Sequence, residues 1–168
     1  MERAQLDIDK RFMQLAINES KLGNYPYGAI LVKDNEVKFR AHNSASTDPT
    51  AHAEVALIRT ATQQLGHPSL KGYTLYTSSE SCPMCAAAEI WAHVDRVVFG
   101  ASIQQLIEVA QQDQIFLQSN IVNSLWTGEL VTVGKIRGAY ELTGGILAEE
   151  ALQVFAEWKQ KQQDAGQS

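Results

Sequence analysis

Cysteine is scarce in this chain: Cys82 and Cys85 are the only two among 168 residues. A disulfide-stapled scaffold is thereby excluded, since small secreted folds of that kind are dense in cysteine. A bridge across the two-residue gap between them would close almost no loop and add little stability. Four prolines and eleven glycines are too few for a collagen-like or low-complexity chain. No apolar run approaches the roughly 18 residues that a membrane span needs. The opening MERAQLDIDKRF lacks the basic-then-apolar order of a secretory signal, so a cytoplasmic protein is the expectation. Positive charge is also in short supply. Fourteen Lys and Arg stand against nineteen Asp and Glu, a formal net charge of −5, which disfavours a nucleic-acid partner because phosphate-backbone binding relies on a cationic field.

What remains is an ordinary globular composition, 45% hydrophobic and 20% charged, long enough for one domain with its own core. Residues 1–160 are read as that domain and 161–168 as a polar tail, with no internal repeat. Helical spacing runs from residue 4 to 22 through Leu6, Phe12, Leu15, Ala16 and Leu22. Two β-rich runs in YGAILVKDNEVKFRAHN flank Asp34-Asn35 and read as a hairpin. Asp48-Pro49-Thr50 opens a helical segment (Ala53, Ala56, Leu57, Ala61, Leu65), with Asp48 or Thr50 as its N-cap. Residues 73–78 and 95–101 read as strands, and a helix starts near Cys82-Pro83, with Pro83 suited to its first turn. Residues 102–110 look helical. The stretch from Asp113 to Ile146 is ambiguous, with β-like pieces at 114–117 and 130–133. A last amphipathic helix runs from Leu147 to Trp158. Strands alternating with helices argue for a layered α/β domain.

Two places carry chemistry. His52-Ala53-Glu54 and Cys82-Pro83-Met84-Cys85 each fall in the first turn of a helix that follows a strand, where layered α/β folds put their sites. Alone, the C-x-x-C pair is a redox dithiol, half a metal site or chance. With His52 thirty residues upstream it completes three of the four ligands of a tetrahedral Zn²⁺, one per chain, and a fourth position is left for water. Glu54 is too close to His52 to be a comfortable fourth ligand and is placed to handle the water's proton. Its bland alternative is a helix-start carboxylate complementing the dipole. Such a zinc brings the pKa of water toward roughly 7, and Glu54 would carry protons to a ring nitrogen and a departing amine. H-x-E followed by P-C-x-x-C is the known signature of zinc deaminases.

The chain resembles the cytidine-deaminase-like superfamily, with its closest likeness to bacterial guanine deaminases and tRNA adenosine deaminases. The resemblance rests on PYGAILVKDNEV (26–37), DPTAHAEVALIRTA (48–61), LYTSSESCPMC (75–85) and DRVVFGAS (95–102), about half the chain. It implies a three-layer α/β/α fold around a mixed five-stranded sheet, one zinc held by His52, Cys82 and Cys85, Glu54 as the catalytic carboxylate, and a homodimer. By position it also implies substrate contacts from Asn43, the backbone at Ala53, Trp91 and Asp113. Asn43 could instead cap a turn, and Trp91 could be plain core. The family pattern departs in one place: Ser81 stands where a proline normally precedes the first cysteine, a change expected to loosen the ligand loop and to add a hydroxyl near the metal. A free nucleobase is the expected substrate, guanine before cytosine. The acidic half after the zinc motif disfavours tRNA, which remains the alternative together with cytosine or cytidine. A non-catalytic zinc-stabilised module is the alternative of another class, and the retained Glu54 argues against it.

Overall fold

The computed structural model describes residues 2–110 and 140–166. Its elements are α1 (Arg3–Ser20), β1 (Gly28–Lys33), β2 (Glu36–His42), α2 (Ala53–Leu65), β3 (Thr74–Ser79), α3 (Pro83–Trp91), β4 (Arg96–Ala101), α4 (Ile103–Ala110), β5 (Glu141–Thr143) and α5 (Ala148–Gly166). The β1–β2 hairpin closes on Asp34 and Asn35, whose φ angles of 54° and 58° are both left-handed. A two-residue turn of that hand follows the strand twist, and short polar side chains adopt it at low cost.

The strands form one sheet in the order β2-β1-β3-β4-β5. Strand β1 is antiparallel to both neighbours, while β3, β4 and β5 are parallel. It follows that β2, β3 and β4 all run in one direction. Their carboxyl ends share one edge of the sheet, and α2, α3 and α4 begin from that edge. This edge is where an α/β sheet collects the loops that carry a site.

The period-two alternation of strand side chains sorts the core into two layers. Ile30, Val32, Tyr76 and Val98 meet Phe12, Met13, Ala16 and Ile17 of α1 and Val154 and Phe155 of α5. Ala29, Leu31, Leu75 and Val97 meet Ala53, Leu57 and Ala61 of α2, with Ala92 and Val94 beyond α3. The fold is thus the three-layer α/β/α arrangement expected from the sequence. Strand β1 is buried on both faces, which is why GAILVK is a continuous apolar run with no alternation. Gly28 is required by close approach, because a Cβ there would lie 2.3 Å from the backbone nitrogen of Ser20 and 2.6 Å from the carbonyl oxygen of Ala16 in the last turns of α1.

Three expectations are corrected. Helix α1 stops at Ser20 with Lys21 as its C-cap, so Leu22 lies beyond the helical face and is exposed. Strand β5 lies in the stretch left ambiguous, and at three residues it is too short to show a period. The last helix, expected to end at Trp158, continues as α5 to Gly166, and its end from residue 160 is exposed. The β-like pieces at 114–117 and 130–133 lie outside the described residues. Among the described residues no helix is long and apolar enough to cross a membrane.

Candidate metal centre and active site

Helices α2 and α3 begin side by side, and their caps carry the chemistry. The N-cap of α2 is His52 (φ −64°, ψ 155°), and that of α3 is Cys82 (φ −67°, ψ 166°) with Pro83 at the first helical position. Neither side chain caps its own helix, which leaves the imidazole and the thiol available. Asp48 and Thr50, the expected caps of α2, form a local turn instead: Asp48 Oδ1 accepts from the Thr50 backbone at 2.9 Å and from its hydroxyl at 2.7 Å.

The imidazole and the two sulfurs converge. Cys82 Sγ lies 3.5 Å from His52 Nδ1 and 3.6 Å from Cys85 Sγ, and Cys85 Sγ lies 3.7 Å from His52 Nδ1. For a tetrahedral zinc with bonds of about 2.3 Å to sulfur and about 2.0 Å to nitrogen, the ligand-to-ligand edges are about 3.8 Å (S–S) and about 3.6 Å (S–N). The observed triangle matches those edges, so the three donors fit the ion without rearrangement. Charge agrees with geometry. Hydrogen bonding with Cys85 and with His52 holds the Cys82 pKa down to about 4. Hydrogen bonding to Cys82 and burial push Cys85 upward. The Cys82 thiolate also raises the His52 pKa.

Glu54 follows in the first turn of α2 and is only 4% exposed. Burial raises its pKa above the ordinary carboxylate range, and the negative charge of Cys82 adds to this. The Thr77 hydroxyl of β3 donates to Glu54 Oε1 at 3.0 Å and fixes the carboxylate. Thr77 shares a face with Leu75, so the strand alternation that builds the α2-side core also aims this hydroxyl at the site. Burial, then the charges on Glu54 and Cys82, raise the Tyr27 phenol. Sequence reasoning missed Thr77, which looks like ordinary strand packing.

Ser81 behaves differently from its expectation. It is buried, and its hydroxyl donates to Glu89 Oε1 at 2.6 Å. The ligand loop is therefore tied down, not loosened. Backbone bonds add to this: the Glu80 amide donates to Ala101 oxygen at 2.8 Å, and the Ile103 amide donates to Glu80 Oε2 at 3.1 Å. Glu89 escaped the sequence reading, although a carboxylate four residues after Cys85 falls on the same helical face.

Of the proposed substrate contacts, Asn43 is buried at the end of β2, and its Oδ1 accepts from the Ala45 amide at 2.9 Å. The turn-capping role is thus real, and the amide nitrogen is left as a donor. Ala53 is fully buried as the first residue of α2. Trp91 is 82% exposed at the far end of α3 from Cys82. It is not part of the core among the described residues, because the buried positions of α3 are Cys85, Ala86 and Glu89 and Trp91 projects from another side. Asp113 lies outside the described residues.

Three metal donors at two helix starts with a buried carboxylate beside them have the makings of a metal-dependent hydrolytic site. The model of the cytidine and deoxycytidylate deaminase zinc-binding region matches residues 6–101, and the chain belongs to that family. It is 37% identical over 129 residues to a tRNA-specific adenosine deaminase of Bacillus subtilis, covering 70% of this chain and 80% of that one. It is 40% identical over 107 residues to a guanine deaminase of the same organism, covering 62% and 69%. A solved structure from a study of A-to-I editing by tRNA:A34 deaminases at the wobble position of transfer RNA superposes with a TM-score of 0.61 at 29% identity, covering 86% of this chain and 98% of that one.

Proposed function

We propose that this protein removes an exocyclic amine, as ammonia, from a free nucleobase or a related amino-heterocycle, with guanine the first candidate, in the cytoplasm. The observation that carries the reaction type is the buried Glu54 carboxylate held by Thr77 beside the His52–Cys82–Cys85 triangle. A zinc ion bound there would lower the pKa of water to about 7 and so supply the nucleophile at neutral pH. The residues do the rest. His52, Cys82 and Cys85 hold the ion. Glu54, poised by burial to take and return a proton, accepts one from the nucleophile and gives it to a ring nitrogen. It then accepts a second from the hydroxyl now on the attacked carbon and gives it to the leaving amine, so that water's oxygen stays as the carbonyl and its two protons end on the ring nitrogen and on ammonia. Asn43 offers its free amide nitrogen to a substrate carbonyl, and the backbone at Ala53 meets the ring edge. Asp113 completes the substrate contacts as an acidic partner of the base.

Charge supports a small substrate over a polyanion. Besides the net charge of −5, several cations already have carboxylate partners: Lys38 with Glu36, Arg59 with Asp48, and Arg96 with Asp9. Such pairing weakens the field that phosphate binding requires. A second reading, a tRNA adenosine deaminase, is favoured by the wider coverage of the match to the Bacillus subtilis enzyme of that name. Ammonia release on a panel of guanine, cytosine, cytidine, adenosine and triazine amines, run beside inosine formation in tRNA, separates the two. The free-base reading expects turnover of guanine with a KM insensitive to salt. Inosine in tRNA, with binding that falls steeply between low and physiological salt, would replace it with the second reading.

The working form is proposed to be a homodimer. Met84, Ala87 and Trp91 line one exposed side of α3 at helical spacing, and a large exposed tryptophan is the kind of residue that anchors an interface. Light scattering should give about twice the mass of one chain, and Trp91→Glu should shift it to the monomer. A monomeric parent protein would remove the proposal.

A further inference from the structure

Glu89 is a charge-bearing side chain with no place in the chemistry above. It is completely buried, its Oε1 takes the Ser81 hydroxyl at 2.6 Å, and its Oε2 has no hydrogen-bond partner among the described residues. The phenol of Tyr140 is a second hydrogen-bonding neighbour of the carboxylate, and it is itself raised by burial and then by the carboxylate's charge and hydrogen bond. A buried carboxylate with one oxygen unsatisfied costs stability, so it calls for an explanation in the contacts it does make. The contact with Ser81 spans the start of α3. Ser81 precedes the N-cap Cys82, and Glu89 sits on the second turn of the same helix, facing inward with Cys85. Helical side chains lean toward the N-terminus, and this lean brings the Glu89 carboxylate up to the residue ahead of the ligand.

We infer that Ser81 and Glu89 form one positioning unit that fixes the backbone entering Cys82 and thereby the placement of its sulfur against His52 and Cys85. The hydrogen bond closes a loop from the residue before the cap to the body of the helix, so Cys82 can pivot only if that bond breaks. A proline at 81 would fix the entry by its ring, but it has no hydroxyl to offer and would leave Glu89 buried without its donor from the ligand loop. A carboxylate at 89 is therefore matched to serine at 81, and an apolar residue at 89 is matched to proline at 81. The two positions are coupled as a pair.

The inference rests on His52, Cys82 and Cys85 being metal ligands, and its test reads metal affinity separately from turnover. Zinc affinity of the full-length protein is measured by chelator competition. The absorption of the cobalt(II)-substituted protein reports the sulfur–metal geometry, and thermal melting is followed in parallel. Glu89→Met alone and Ser81→Pro alone should each weaken zinc by about 10–100-fold, the usual effect of losing a group that orients a ligand, and should alter the cobalt spectrum at temperatures where the protein is folded. Glu89→Gln, which keeps the acceptor, and the double variant Ser81→Pro/Glu89→Met should both return to within about threefold of the parent. Single variants that melt earlier but bind zinc with unchanged affinity and spectrum would show mere packing and overturn the unit, as would additive losses in the double variant. A parent protein that binds no zinc would overturn the metal reading and the unit together.

Discussion

Replacing Glu54 with glutamine is expected to leave a folded protein holding one zinc per chain that releases ammonia about 10²–10⁴ times more slowly, the usual contribution of a positioned acid–base group. The split between binding and turnover follows from the geometry. Glu54 is not among the three mutually close donors His52, Cys82 and Cys85, so removing its charge subtracts no ligand. Glutamine keeps the oxygen that accepts from Thr77 and occupies nearly the same volume, so packing against β3 persists. Only proton transfer is lost. Metal analysis and single-turnover kinetics on the same sample check the claim. Loss of zinc with the activity would make Glu54 a ligand. Activity within about tenfold of the parent would move the proton shuttle to another group.

The residues that sequence reading located and those it missed differ in physical kind. His52, Cys82 and Cys85 were legible because few chemistries need an imidazole and two thiols at helix starts, and because the only two cysteines fall at ligand spacing. The hairpin was legible from Asp34-Asn35, whose left-handed backbone is a local property of the turn. Thr77 and Glu89 act through contacts made only after β3 and α3 pack, and no local pattern announces those contacts. Trp91, for which plain core was one of two readings, is the opposite case. It sits in an apolar segment with alanines around it, yet the face that the helix turns inward is set by Cys85 and Glu89, and the tryptophan is left outside. Ser81 was read from the backbone freedom it adds, whereas its effect here depends on a partner eight residues further on.

At the opposite end of the sheet, Asp9→Ala is expected to destabilise the fold by about 3–5 kcal/mol, because it strands a charge that the fold has largely buried. Asp9 is fully buried on α1. It takes Arg96 Nη1 at 2.7 Å on Oδ1 and Nη2 at 2.8 Å on Oδ2, while Oδ1 also accepts the Tyr76 hydroxyl at 2.8 Å and the Gln5 amide at 3.0 Å. Arg96 continues outward to Glu141 at 2.9 Å and Thr143 at 3.0 Å, so one guanidinium joins α1, β4 and β5. The outer arm is weak by comparison: Glu141 is 68% exposed on its side chain, and Glu141→Ala should cost no more than about 1 kcal/mol. The pH dependence has a definite sign. Burial pushes the Asp9 carboxyl upward, but the hydrogen bonds from Arg96, Tyr76 and Gln5 outweigh it, and the folded pKa lies below the ordinary 3.8. A carboxylate lowered on folding stabilises the native state above its unfolded pKa and loses that contribution as pH falls through the folded value. The gap in denaturant midpoint between parent and Asp9→Ala should therefore be full near neutrality and narrow below about pH 4. A gap under about 1 kcal/mol, or one unchanged into acid, would mean that Arg96 finds compensation elsewhere. Arg96 stands at the amino end of β4, whereas the metal triangle lies beyond the carboxyl end of β3. The folded variant should consequently bind zinc as the parent does, which separates what holds the sheet together from what its loops perform.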